Sequence, residues 1–113
     1  MKKEVFTYNN VEYLIYIGKD KSENWSLIDA AVPSDIWFHV KDVPSCHVIL
    51  KCSGKLKDVP RQVLSRCFIL CKQNSPKSNP NSEIIYTPIK NVKKGCHEGS
   101  VIIKKDTCKC ASL

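Results

Sequence analysis

The sequence lacks a long hydrophobic run and is poor in glycine. Its longest apolar-rich stretch, residues 63–71, is broken by a serine and an arginine, and it is far shorter than the ~20 residues that a helix needs to span a bilayer. The start Met-Lys-Lys continues into Glu-Val-Phe-Thr-Tyr, so we expect no signal peptide and no transmembrane segment. The chain has four glycines, and Gly18-Lys19 lacks the earlier glycines of a phosphate-binding loop. A P-loop nucleotide-binding protein is therefore excluded as well.

Acidic residues are scarce in the second half of the chain. Residues 1–50 contain five lysines and seven acidic residues, whereas residues 51–113 contain thirteen lysines or arginines and four acidic residues. This imbalance accounts for the net charge of +7. A basic half of this kind predicts an anionic partner, which by charge alone is a nucleic acid, a ribosome or a membrane surface.

Seven cysteines and three histidines are the candidate metal ligands and nucleophiles. The cysteine count is odd and no secretory signal is expected, which predicts reduced thiols in a cytoplasmic, reducing compartment. Cys96-His97 with Cys108 and Cys110 is a conceivable zinc set, but its spacing matches no common closed site. We therefore predict no metal and no cofactor.

Hydrophobic periodicity predicts a mixed fold. β-branched and aromatic residues on both sides of Asn9-Asn10 predict a β-hairpin, because asparagine tolerates positive φ in a two-residue turn. The other predicted elements are a helix over residues 23–31, a core helix starting near Pro60, a strand over 83–87, an irregular basic loop over 88–99 and a terminal hairpin turning at Asp106. This pattern predicts a single compact α+β domain over residues 1–113, with a mainly antiparallel sheet and two or three helices.

Residues 35–50 predict two strands joined by a turn, and the chain is organised around them. One parity of this stretch is apolar, whereas the other carries aromatic, imidazole and ammonium groups. Direct pairing of the two strands requires an odd number of loop residues or a bulge near Pro44, so that core residues face each other. The predicted outer face carries Trp37, His39, Lys41, His47 and Lys51.

That face has several interpretations. It could stack on a base and neutralise phosphate, or it could be a sheet surface covered by a helix. His39 and His47 with Asp35 and Asp42 also suggest a metal-dependent nuclease, but their spacing is no established ligand pattern. The sequence contains no nucleophile motif and singles out no cysteine, so we predict that the protein is not an enzyme.

Three segments resemble those of a known domain. Residues 18–24, Gly-Lys-Asp-Lys-Ser-Glu-Asn, resemble the "G-K-N-x-x-Q-N" box of the NFACT RNA-binding domain (NFACT-R), and residues 35–48 are similar to its "D-x-W-F-H-V-K-D-x-P-G-S-H-V" core. Residues 86–101 resemble its "Y-T-x-x-K-x-V-K-K … G-x-V" segment. The chain departs from the pattern at Asp20, at Ser45 and in a shortened loop over 94–99. Within this family, the chain resembles the free-standing eukaryotic members with a coiled-coil tail.

The resemblance implies binding of nucleic acid, chiefly RNA in the form of tRNA or rRNA. Multidomain relatives act on the large ribosomal subunit in ribosome-associated quality control, where they help extend stalled chains. Residues 1–113 contain neither their N-terminal domain nor their coiled coil, so we do not transfer that extension activity. Binding of DNA and the oligomeric state are left open. The alternative function is a protein-interaction adaptor that docks a ribosomal or acidic partner.

The candidate nucleic-acid-binding residues combine phosphate contacts with base contacts. The lysines would neutralise phosphate, and the aromatic rings would stack on a base or contact sugar. The alternatives are that Trp37 packs beneath a helix, that His39 and His47 bond each other or Asp42, and that Asn24 braces the Gly18 turn. The full candidate set is Lys19, Trp37, His39, Lys41, Asp42, Ser45, His47, Lys90, Lys93 and Lys94.

Overall fold

The computed structural model describes residues 1–112 as an antiparallel sheet with helices on both faces. The main sheet has six strands in the order β1-β2-β4-β3-β5-β8, and β6 pairs with β7 in a separate two-stranded sheet. The mostly antiparallel sheet and two α-helices confirm the predicted α+β class. The strands are β1 Lys2–Tyr8, β2 Val11–Ile17, β3 Ile36–Val40, β4 Val48–Leu50, β5 Glu83–Pro88, β6 Val92–Lys94, β7 Val101–Ile103 and β8 Lys109–Ser112, and the helices are α1 Lys21–Ala30 and α2 Arg61–Gln73. Within residues 1–112 neither helix has the length and apolar character to cross a membrane.

The β1–β2 hairpin forms where the sequence predicts it. Tyr8 pairs with Val11, and the two turn residues Asn9 and Asn10 have φ values of 50° and 64°. Positive φ at both central positions is the geometry of a type I′ turn, whose twist matches that of the flanking strands. The asparagine pair therefore sets the register of this hairpin.

The central strands β3 and β4 also meet the parity condition. Phe38 pairs with Val48 and Ile36 pairs with Leu50, so an odd number of residues separates each pair and apolar side chains face each other. Asp42 has a φ of 64° in the intervening turn, which lets the chain reverse direction.

One face of the main sheet packs against α2. Helix α2 presents an apolar stripe to the buried parity of β2, β3, β4 and β5, as the predicted core helix should. The rings of Phe38 and Phe68 meet edge to face with centroids 5.8 Å apart. The residues of this core with the least exposure include Ile15, Ile36, Phe38, Val40, Val48, Leu50, Val63, Cys67, Cys71 and Ile84.

The opposite face, for which exposure and cover by a helix were both left open, is covered by α1 and the β6–β7 sheet. Trp37 and Ile49 form a second buried cluster there with Leu27 of α1 and Val92 of β6. Helix α1 begins ahead of the predicted residue 23, because the Asp20 carboxylate accepts a hydrogen bond from the Glu23 N–H (2.9 Å) and caps it. The placement on an outer face is therefore wrong for Trp37 and for His47, which are both buried.

The C-terminal third corrects two further predictions. Strand β7 pairs with β6 and β8 pairs with β5, so β7 and β8 do not form a terminal hairpin, although Asp106 turns with a φ of 59°. The segment predicted as an irregular loop contains a 3₁₀ turn, Ile89–Asn91, followed by β6. A three-residue apolar strand such as β7 satisfies the period of two with any neighbour, so its pattern did not specify its partner.

Candidate nucleic-acid interface

Three aromatic rings cluster at the centre of the motif, but two of them lie inside the molecule. Trp37 is 0% exposed and His47 is 1% exposed. The Trp37 indole Nε1–H donates a hydrogen bond to Nδ1 of His47 (3.2 Å), and the His39 ring stacks on the indole with a centroid distance of 5.4 Å. The Trp37 ring therefore has no free face for a base, and packing under α1 is the interpretation that the geometry supports.

The environment of the two histidines favours their neutral forms. Burial lowers the pKa of His47 to about 3, and the neighbouring His39 lowers it further. Burial also lowers the pKa of His39, although the hydrogen bond to the Val40 carbonyl opposes this. Desolvation penalises the charged imidazolium. Neither ring is thus suited to neutralising a phosphate.

Gly18 and Asn24 of the first motif segment hold the second segment in place. The Asn24 side-chain Oδ1 accepts a hydrogen bond from the His47 N–H (3.1 Å), and the Gly18 N–H donates to the His47 carbonyl (2.9 Å). A Cβ atom at Gly18 would lie 2.2 Å from Asn24 Oδ1. The alternative in which Asn24 braces the Gly18 turn therefore fits, and glycine is required there by close approach.

Asp35 is a buried structural carboxylate. It is 1% exposed, and it accepts hydrogen bonds from the backbone N–H groups of Val32 (3.0 Å) and Cys52 (3.1 Å). The ammonium group of Lys51 lies 2.7 Å from its Oδ2. Pairing and hydrogen bonding offset the cost of burying the charge. Lys51 is therefore tied to the fold rather than free on an outer face.

Of the remaining candidate residues at this end of the sheet, Ser45 has a structural role and the others are exposed. Ser45 Oγ accepts a hydrogen bond from the Val40 N–H (3.1 Å) and so closes the turn. Lys41, Asp42 and Lys19 are exposed. Because β2 and β3 both run antiparallel to β4, Lys19 and Lys41 leave the sheet at the same end.

A second group of lysines lies on the outer side of the β6–β7 sheet. Lys93 pairs across the strands with Ile102, which is 62% exposed, so both side chains project from the same face. Lys90, Asn91 and Lys104 complete the lining of a shallow groove around them. We call Lys90, Lys93 and Lys104 the hairpin lysines. Lys104 was not among the predicted residues.

The predicted lysines do not form one continuous site. β5 runs antiparallel to β3, so Lys90, which follows β5, lies at the opposite end of the sheet from Lys41. Lys94 turns toward α1, where its Nζ is 2.9 Å from Asp29 Oδ1 and 5.3 Å from the centroid of the Trp25 ring. The structure therefore brings Lys90 and Lys93 together and separates both from Lys19 and Lys41.

Trp25 is the aromatic residue that the sequence analysis missed. Its indole Nε1–H donates to the Ser100 carbonyl (2.8 Å), which fastens the loop after β6 to α1. The ring is half-buried and lies beside Lys94. The available signal was that three of its four neighbours at helical spacing, Lys21, Ser22 and Asp29, are polar, since a core position usually has apolar neighbours there.

The metal-ligating residues are dispersed. Within residues 1–112, no group of three or more histidine, cysteine or acidic side chains is placed to hold a metal ion. All seven cysteines are free thiols, and burial raises the pKa of the Cys67 thiol.

Comparisons with known proteins match this chain to one family. The model of the NFACT protein RNA binding domain matches residues 2–105. Coiled-coil domain-containing protein 25 of Bos taurus is 46% identical over 91 residues, which cover 76% of this chain and 43% of that protein. Protein JLP2 of Saccharomyces cerevisiae is 37% identical over 95 residues, with coverage of 78% and 46%. The chain spans less than half the length of these relatives.

Two more distant proteins are also similar to this chain, one in sequence and one in fold. The Rqc2 homolog RqcH of Bacillus subtilis is 30% identical over 90 residues, covering 78% of this chain and 15% of RqcH. The solved C-terminal part of the fibronectin/fibrinogen-binding protein from Streptococcus suis has a TM-score of 0.75 at 23% identity, and the match covers 99% of this chain and 45% of that structure. This structural likeness shows the fold alone. From the family match and the sequence relatives, the chain belongs to the NFACT RNA-binding domain family.

Proposed function

We propose that this domain binds RNA through the hairpin lysines, with tRNA or ribosomal RNA as the substrate class, and that it performs no covalent chemistry. The observation that carries the proposal is the grouping of Lys90, Lys93 and Lys104 around one exposed groove. Clustered ammonium groups on a surface neutralise neighbouring phosphates and release counterions, which is the main source of affinity for a nucleic-acid backbone.

The surroundings of these lysines support the proposal. Within residues 1–112, none of the three takes part in an ion pair, whereas Lys51 is paired with Asp35 and Lys94 with Asp29. A phosphate approaching the groove therefore meets ammonium groups that no acidic side chain has neutralised. Lys19 and Lys41, at the other end of the sheet, are available for a second contact with a long RNA.

The cellular context is part of the same proposal. The family is described by RNA binding, and one relative is an Rqc2 homolog. Both support a role in translation or ribosome-associated quality control. We further propose that the domain acts in the cytoplasm, near the large ribosomal subunit. We expect weak sequence preference, because phosphate contacts fix position but carry little base information. DNA of equal length is therefore expected to compete in part.

Fluorescence anisotropy with labelled tRNA and a labelled single-stranded RNA tests this function. We expect dissociation constants on the order of 10⁻⁶ M at low salt, with log affinity falling linearly as log salt rises. Unlabelled RNA should displace the probe more effectively than polyglutamate of equal charge. Absence of binding at low salt, or stronger displacement by polyglutamate, would instead favour an adaptor that docks an acidic protein, for which the exposed Ile102 offers an apolar contact.

A further inference from the structure

A cleft adjoins the groove around the hairpin lysines, at the end of the sheet where β3 starts. It lies between the loop before β3 and the loop after β4. Lys90 lines both the cleft and the hairpin groove, so the two form a continuous surface. The residues that give the cleft its chemistry are Pro33, Gly54, Lys55, Leu56, Pro88 and Lys90.

Hydrogen bonds fix the walls of this cleft relative to one another. Ser34 Oγ donates to the Cys52 carbonyl (2.6 Å), and the Cys52 N–H donates to the Asp35 carboxylate (3.1 Å). The Ile89 N–H donates to the Asp35 carbonyl (2.7 Å). The loop before β3, the loop after β4 and the segment after β5 are thereby joined through Asp35. A cleft with fixed walls orders little on binding, which favours affinity.

The lining of the cleft combines apolar surface with positive charge. Pro33, Leu56 and Pro88 supply apolar surface, and Lys55 and Lys90 are exposed ammonium-bearing side chains. A nucleotide has the complementary composition, because a flat base is attached through a ribose to an anionic phosphate. In a duplex the base faces are stacked on each other, whereas a single strand can turn a base outward against a protein.

We infer that this cleft binds one nucleotide of single-stranded RNA, with the base against the proline and leucine surface and the adjoining phosphates on Lys55 and Lys90. The inference rests on the proposed function. An RNA strand that occupies both sites would run from Lys93 and Lys104, past Lys90, into the cleft. It also predicts that single-stranded RNA binds better than an RNA duplex of equal length.

Gly54 offers a substitution that probes the cleft without disturbing the fold. A Cβ atom at Gly54 meets no atom within 4 Å, so Gly54→Glu and Gly54→Gln should both fold. The two side chains have the same length and differ in charge. We expect Gly54→Glu to weaken binding of a hexameric single-stranded RNA about fivefold more than Gly54→Gln does, because only the glutamate brings a negative charge beside the phosphates on Lys55 and Lys90.

Backbone NMR locates the contact in the wild-type protein. Titration with the same RNA hexamer should shift the amide signals of Ser34, Lys55 and Leu56 together with those of Lys93 and Lys104. Shifts confined to Lys93 and Lys104, with equal affinity of the two Gly54 variants, would overturn the cleft and leave the proposed function intact. Absence of all shifts and of binding would overturn both.

Discussion

The two tryptophans of this domain sit in contrasting surroundings. Trp37 is 0% exposed, and its indole N–H is bonded to His47. Trp25 is half-buried at the surface, with its N–H on the Ser100 carbonyl and its ring beside Lys94. The tryptophan within the more recognisable motif is therefore part of the core, whereas the less conspicuous one remains partly exposed beside Lys94.

The same contrast extends to the charged residues. Asp35 and Lys51, which flank the central strands, form a partly buried pair, whereas Lys90, Lys93 and Lys104 face solvent around a groove. Residue types that suggest binding in a sequence are here divided into an inner set that holds the strands and an outer set that carries free charge. Each prediction below tests that division.

The largest expected effect comes from truncating the two tryptophans separately. Trp37→Ala should lower the free energy of unfolding by about 3–5 kcal/mol, because it leaves a cavity beneath α1. Trp25→Ala should lower it by about 1 kcal/mol, the usual value of one lost hydrogen bond. Urea denaturation measures both. Trp37→Phe, which keeps an aromatic ring but loses the N–H, should fall between them. Similar losses for both alanine variants would contradict the division.

The pH dependence of stability tests the inner set more finely. Because His47 has a pKa of about 3 in the folded protein and about 6.5 when unfolded, the unfolded chain binds more protons between these values. The stabilisation that neutral His47 contributes to the folded protein is therefore complete above pH 6.5 and declines as the pH falls toward 3. We expect a loss of about 1–2 kcal/mol between pH 7 and pH 5, since one pKa unit corresponds to about 1.4 kcal/mol.

A histidine variant on each side of the division controls the pH experiment. His47→Gln should show a smaller loss of stability between pH 7 and pH 5, and its side-chain oxygen can still accept the Trp37 N–H. His97→Gln, at an exposed position, should keep the dependence of the wild type. If His47→Gln also kept the pH dependence of the wild type, burial of His47 would not be the cause of that dependence.

The smallest expected effect concerns the ion pair between Asp29 of α1 and Lys94 of β6. Asp29→Asn removes a negative charge from an exposed position and frees the ammonium group for phosphate. RNA affinity at low salt should rise by about two- to fivefold, with stability changing by less than about 0.5 kcal/mol. Glu12→Gln gives the same change in net charge at an exposed position of β2, away from both proposed contact surfaces. An equal gain from both variants would show only a general effect of net charge.

Local patterns in the sequence were enough to predict much of the fold. Asn9-Asn10 specified the first hairpin, and the alternation around Phe38 and Val48 specified which residues face each other. The period of two divides a strand into two faces but does not say whether a second layer covers the polar one. The cover over Trp37 comes from α1 and from β6–β7, and the partner of β7 depends on contacts distant in sequence.

The candidate site was harder to predict than the fold for the same reason. Lys90 and Lys93 were predicted from their charge and from the motif segment that contains them, and the structure places them together. Lys104 reaches the groove because its backbone N–H bonds the Asn91 carbonyl (2.8 Å), a contact that no spacing rule gives. His47 has a residue type suited to binding, and only its burial reveals a different role.

The most direct test compares two triple lysine variants in an RNA-binding salt series. Lys90/Lys93/Lys104→Ala removes the hairpin lysines, whereas Lys3/Lys77/Lys109→Ala removes the same charge from three other exposed positions. For single-stranded RNA, each phosphate contact contributes about 0.7 to the slope of log affinity against log salt. The hairpin variant should therefore lower the magnitude of the slope by about 2, and the control should stay close to the wild type. Equal reductions in the two variants would contradict a localised RNA site on the β6–β7 sheet.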